Sequence, residues 1–84
     1  GYIIHNTKKP FKEGHSHLKS FEVAKVIINN VILKKTPKTS NMYLLESHIR
    51  LSEDKKYISY INGLIEVRKR KKDDYINRTS DKRR

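Results

Sequence analysis

The residues of this 84-residue chain with the plainest chemistry are its cations. Arg68-Lys69-Arg70-Lys71-Lys72 is an unbroken run of five, and Arg78, Lys82, Arg83 and Arg84 follow it. On a helix, such a run surrounds the whole circumference, so no core-facing role absorbs every member. Held near phosphates, each cation displaces condensed counterions, and several together give an affinity that falls steeply with salt. The competing reading is a solubilising helix end, where cations also complement the helix dipole. In a nucleated cell the same run would serve as a nuclear address.

A second group of candidates occupies Lys34-Lys35-Thr36-Pro37-Lys38-Thr39-Ser40-Asn41. Lysines precede small hydroxyl and amide residues at an expected helix start, and the outward backbone N–H groups of such a start suit a phosphate. In a helix-turn-helix, the opening residues of the second helix lie against base edges. Lys35, Lys38, Thr39, Ser40, Asn41 and Tyr43 would then be the contacts. The connector is longer than the usual turn of about three or four residues, and an ordinary capped loop would use the same residue types. Ser52-Glu53-Asp54, the next expected helix start, is a poorer groove reader because its carboxylates would face phosphates.

The histidines invite a metal reading. His15 and His17 alternate, Glu13 is close in sequence, and His5 or His48 would have to supply a further ligand. That spacing is a weak signal for a tetrahedral site, and a loop or cap role is simpler. No nucleophile elbow, phosphate-binding loop or carboxylate pair is present. The chain therefore reads as a non-enzyme without cofactor or metal. A small nuclease or toxin using His15, His17 and lysines trails behind. Among the aromatics, Tyr60 and Tyr75 are expected to be exposed by helical phase, where bases could stack beside cations.

These residues must be positioned by one small domain. The core must come from 23 Ile, Leu, Val, Phe and Met residues helped by five Tyr, enough for three packed helices and too little for a large sandwich. A chain of this size buries only about 60% of its unfolded surface. The pattern predicts a mostly α fold: a small three-helix domain with an irregular N-terminal arm and a basic helical C-terminal extension. Residues 1–17 form the arm, basic through Lys8, Lys9 and Lys12 and punctuated by Pro10 and Gly14. Within it, Tyr2-Ile3-Ile4 reads as a short strand or an apolar plug. Residues 18–67 form the helical core and residues 68–84 the extension, partly disordered at 79–84.

The first helix is expected from Leu18 or Phe21 to Lys34, capped by Ser20, with Glu22 in the first turn. Its stripe of Phe21, Ala24, Ile28, Val31 and Ile32 is widened by Val23, Val26, Ile27 and Leu33. A helix so apolar is expected at the centre of the fold. Pro37 ends it. A second helix is expected over Asn41–Leu51, capped by Thr39 or Ser40, with Met42, Leu45 and Ile49 inward. The third opens at Ser52-Glu53-Asp54 and uses Tyr57 or Ile58, Ile61, and Leu64 or Ile65, continuing to about Asn77. Gly63 inside it costs about 1 kcal/mol relative to alanine.

The charge balance sets the functional expectation. Twenty Lys and Arg against nine Asp and Glu give a net charge of +11, which repels copies of the chain and attracts phosphate surfaces. Part of this is compositional, since Lys, Ile and Asn make up 30 of the 84 residues, as AT-rich coding produces. Cysteine is absent, which removes disulfides and thiolate zinc sites and favours a reducing, cytoplasmic setting. No signal peptide and no membrane-spanning run is evident. The expected function is that of a small nucleic-acid-binding accessory protein, with DNA ahead of RNA as partner. The alternative is an adaptor whose basic surface meets an acidic protein partner, in the manner of phage or mobile-element modulators of a polymerase, recombinase or replication factor. The sequence leaves the oligomeric state open.

Overall fold

A computed structural model describes residues 1–82, with the side chains of residues 71–82 outside the description. The chain runs β1 (Tyr2–His5), β2 (His15–Leu18), α1 (Phe21–Leu33), α2 (Met42–Leu51) and α3 (Lys55–Lys82). The three-helix architecture expected from the pattern is present. Residues 1–17, expected as an irregular arm, instead contribute to an antiparallel hairpin that pairs Tyr2 with Leu18, Ile3 with His17, Ile4 with Ser16 and His5 with His15. Tyr2-Ile3-Ile4 is a strand, and the second strand is the one the pattern concealed.

Local chemistry sets the helix ends. Ser20 caps α1, its side chain accepting from the Val23 amide at 3.3 Å. The helix closes at Lys34, whose left-handed backbone (φ 56°) lets the Lys35 amide reach back to the Asn30 carbonyl at 2.9 Å, a position where glycine is more usual. The cap of α2 is Asn41, rather than Thr39 or Ser40: its carbonyl oxygen accepts from the Leu44 amide at 3.2 Å, while the Thr39 hydroxyl accepts from Asn41's own amide at 3.1 Å. The cap of α3 is Asp54, which accepts from the Lys56 and Tyr57 amides at 2.8 and 3.2 Å. Ser52 sits two residues earlier, its hydroxyl accepting from the Asp54 amide at 3.1 Å. α3 runs to Lys82, beyond the expected end near Asn77, and Arg83 and Arg84 lie outside the described residues.

The centre of the fold is α2, which packs against α1, α3 and β2. The expectation that α1 would be central is corrected here. One apolar cluster joins Ile4, Leu18, Ala24, Ile27 and Leu51 between the hairpin and α1. A second joins Leu45, Tyr57, Ile61 and Ile65 between α2 and α3. Val31 touches both. On α1 the inward face is Ala24, Ile27 and Val31, so Phe21, Ile28 and Ile32 from the expected stripe stand 53%, 40% and 68% exposed. The most enclosed helix thus holds Ser47 and His48, both buried. It tolerates them because their polar atoms are satisfied inside the fold. The Ser47 hydroxyl donates to the Tyr43 carbonyl at 3.0 Å and pairs with the Ser16 hydroxyl at 2.6 Å.

The loop of the hairpin holds the end of α2. The Asn6 amide donates to the Leu51 carbonyl at 2.8 Å, and the Lys9 ammonium reaches the Arg50 carbonyl at 3.0 Å and that of Ile49 at 3.4 Å. These carbonyls belong to the last turn, where no intrahelical donor is left for them. Lys9 is therefore a structural cation. Among the described residues no helix is long and apolar enough to cross a membrane.

Candidate nucleic-acid interface

The connector between α1 and α2 is held against α3 by two tyrosines. The Tyr57 hydroxyl donates to the Lys35 carbonyl at 2.8 Å, and the Tyr60 hydroxyl shares a hydrogen bond of 3.0 Å with the Thr36 hydroxyl. Tyr57 is buried, and that burial pushes its phenol pKa above the ordinary value, so it stays a neutral donor. Pro37 is buried beneath the connector. At its start, the Lys34 ammonium pairs with the Asp54 carboxylate. That contact, reinforced by the Tyr57 and Lys56 amides, holds the Asp54 carboxyl below the usual carboxylate range.

This path places two groups of sequence candidates on opposite walls of one groove. Lys38 and Thr39 come from the connector, Leu64, Val67 and Arg68 from α3, and Leu45 from α2. Lys38 and Arg68 are exposed, and so are Lys35, Lys69 and Arg70, which do not line the groove. Among the described residues only two ion pairs form, Lys25 with Glu22 and Lys34 with Asp54, so none of these five cations meets a carboxylate whose side chain is described. A groove with an apolar floor and unpaired cations at its lips can take a phosphate chain along its edge, and the connector's fixed path keeps Lys38 and Arg68 in register.

The remaining candidates fare differently. Ser40 is exposed next to the groove. Thr39 and Asn41 use their side chains to shape the start of α2. Tyr43 turns toward the hairpin: its hydroxyl donates to the His17 carbonyl at 2.8 Å and accepts from the His17 amide at 3.3 Å. The structure therefore joins the connector to α3 more closely than to the opening of α2. Lys71, Lys72 and Arg78 continue α3, with side chains outside the described residues.

The surplus charge is unevenly placed. β1 and β2 hold no Lys, Arg, Asp or Glu, and α1 and α2 each hold one cation and one carboxylate. The connector holds three lysines and no carboxylate, and α3 carries nine Lys and Arg against four Asp and Glu. The excess belongs chiefly to the two elements that build the groove.

The histidines do not converge. His5 and His15 are strand partners, but the Phe11 ring lies 5.2 Å from His5 and stacks on His15 at 4.0 Å, while His17 lies edge-on to His15 at 5.0 Å. Among the described residues no group of three His, Asp or Glu side chains is placed to hold a metal. His48, which the sequence offered as a ligand, is buried and hydrogen-bonded within the core. The anchoring roles of Tyr57, Tyr60 and Lys9 had no sequence signal beyond an ordinary amphipathic pattern. No family model matches this chain, and neither does any curated protein or solved structure, so its residues alone carry the functional argument.

Proposed function

We propose that this chain is a nucleic-acid-binding accessory protein that grips the DNA backbone along the connector–α3 groove, with Lys35, Lys38, Arg68, Lys69 and Arg70 meeting phosphate oxygens. The observation that supports the reading is that Lys38 of the connector and Arg68 of α3 line one groove, without carboxylate partners among the described residues. Apolar packing requires neither cation there. Contacts of this kind position a protein on the backbone and carry no direct sequence information, so binding tolerant of sequence is expected.

The test is affinity for a random duplex across salt concentrations. Each phosphate contact adds roughly 0.9 to the slope of log affinity against log salt. Changing Lys35, Lys38 and Arg68 together to Gln should flatten that slope by about two to three units and weaken binding equally for all sequences. The same titration on duplex RNA reports which polymer is preferred. Absence of binding at low salt, or an unchanged slope in the triple variant, would remove the proposal.

A further inference from the structure

We infer that the seam between β1 and α1 is the docking surface for a second copy of this chain. Three independent features of the seam lead there.

The first is apolar exposure. Ile3, Ile28 and Ile32 stand 55%, 40% and 68% exposed along one groove, and the same two elements expose the Tyr2 and Phe21 rings, 5.5 Å apart, at 47% and 53%. Contiguous large apolar side chains on a small domain mark a contact surface.

The second is an asymmetry between the hairpin's edges. The Asn6 amide bonds to the Gly14 carbonyl at 2.9 Å. Counting back by twos, Ile4 with Ser16 and Tyr2 with Leu18 are the hydrogen-bonded pairs, and Ile3 with His17 is a non-hydrogen-bonded one. The backbone groups of Ile3 and His17 therefore point outward from opposite edges. On β2 the Tyr43 hydroxyl meets both groups of His17. On β1 no hydrogen bond to those of Ile3 is made among the described residues. The edge left open is the one bordering the apolar groove, and an open edge templates another strand.

The third is charge, which selects the occupant. β1 is uncharged, α1 carries only Glu22 and Lys25, paired with each other at 3.3 Å, and the groove's remaining lining adds one cation, Lys8, and one carboxylate, Glu53. A strongly charged partner finds no net charge to read at the seam. A second copy brings a surface equally apolar and equally without net charge, while the surplus cations of both copies remain on the connector and α3. A two-fold contact pairs β1 with the partner's β1 and closes the sheet as β2-β1-β1-β2, covering Ile28 and Ile32 of each copy. This inference is independent of the nucleic-acid reading.

Sedimentation equilibrium of the protein alone tests it. At tens of micromolar the mass should be twice the 10.0 kDa of the chain, and association should strengthen with added salt, because salt screens the repulsion between two +11 bodies. Nucleic-acid binding has the opposite salt dependence, so failure of one reading is distinguishable from failure of the other. Ile32→Glu buries two charges across a two-fold interface and should raise the dissociation constant on the order of 100-fold or more. Ile3→Pro removes only an outward N–H and should act likewise. Leu33→Glu, at an exposed position of α1 that does not line the groove, should leave it within about threefold. Ile32→Glu decides alone if the proline variant loses the hairpin's circular dichroism. A monomer at every concentration and salt, assemblies larger than two, or equal effects of Ile32→Glu and Leu33→Glu would overturn the inference.

Discussion

Acid should destabilise this fold through one side chain. His48 is 1% exposed on the central helix. Its Nδ1 donates to the Leu44 carbonyl at 2.7 Å, and its Nε2 lies 3.2 Å from the Asn30 amide nitrogen, which donates to it. That arrangement satisfies a neutral imidazole completely. A second proton would point an N–H at an N–H. Even with the Asn30 amide turned over, the charge would remain cut off from water. Burial lowers the His48 pKa below its ordinary 6.5, against a smaller upward pull from the Leu44 carbonyl. The unfolded chain therefore takes up a proton near pH 6.5 that the folded chain refuses. The stabilisation is complete above 6.5 and is lost as pH falls below it, by at most about 1.4 kcal/mol per pH unit. Between pH 7.5 and 5.0 the ceiling is about 2 kcal/mol, a large share of the roughly 5 kcal/mol expected of a small domain. Urea unfolding followed by circular dichroism at several pH values would measure it, with His48→Gln as reference. The variant should be less stable at pH 7.5, and its deficit should shrink measurably at pH 5.0. Groups other than His48 cancel in the comparison. A deficit independent of pH would show that His48 titrates alike in both states, and the reasoning from burial would fail.

Two substitutions probe the supporting architecture. Gly63 is exposed inside α3, and an added Cβ would meet nothing within 4 Å, so Gly63→Ala should raise stability by about 0.5–1 kcal/mol and the melting temperature by several degrees; a decrease would mean that this face of α3 is in contact. Tyr43→Phe removes the hydroxyl that closes the edge of β2, which should cost about 1 kcal/mol and speed amide exchange at His17, while leaving affinity for a DNA duplex unchanged.

How far the fold was legible follows from where polarity is buried. α3 was readable because Tyr57, Ile61 and Ile65 follow one helical stripe and are the residues enclosed. The boundaries of α1 were readable from Ser20 and Pro37. β2 was not, because the inward members of His15-Ser16-His17-Leu18 are Ser16 and Leu18, and a serine paired with another serine across the core leaves no apolar alternation to detect. The rank of α1 was misread for the complementary reason: hydrophobicity marks surface that wants covering, and says nothing about whether this chain covers it. α2 is central despite its polar residues because Ser47 and His48 find partners on Ser16, Tyr43, Leu44 and Asn30. The groove was half legible. Each wall could be named from its cations, but their apposition depends on Tyr57 and Tyr60 holding the connector, a long-range contact without a local signature.

If the two proposed surfaces are real, the surplus lysines and the exposed isoleucines should lie on different elements. Coding bias supplies lysine and isoleucine without regard to position, so it predicts both kinds scattered over every element. Here they segregate. Lys9, Lys25 and Lys34 hold α2's carbonyls, Glu22 and Asp54, which removes three cations from any count of binding groups. Those left over lie chiefly on the connector and α3, and the exposed Ile3, Ile28 and Ile32 line the β1–α1 seam, where Lys8 and Glu53 leave no net charge. A charged groove and a neutral apolar seam on separate elements can each be occupied without desolvating the other's groups, and burying an unpaired lysine at an apolar contact would cost several kcal/mol. That separation is what a small domain would need in order to present both of the proposed surfaces.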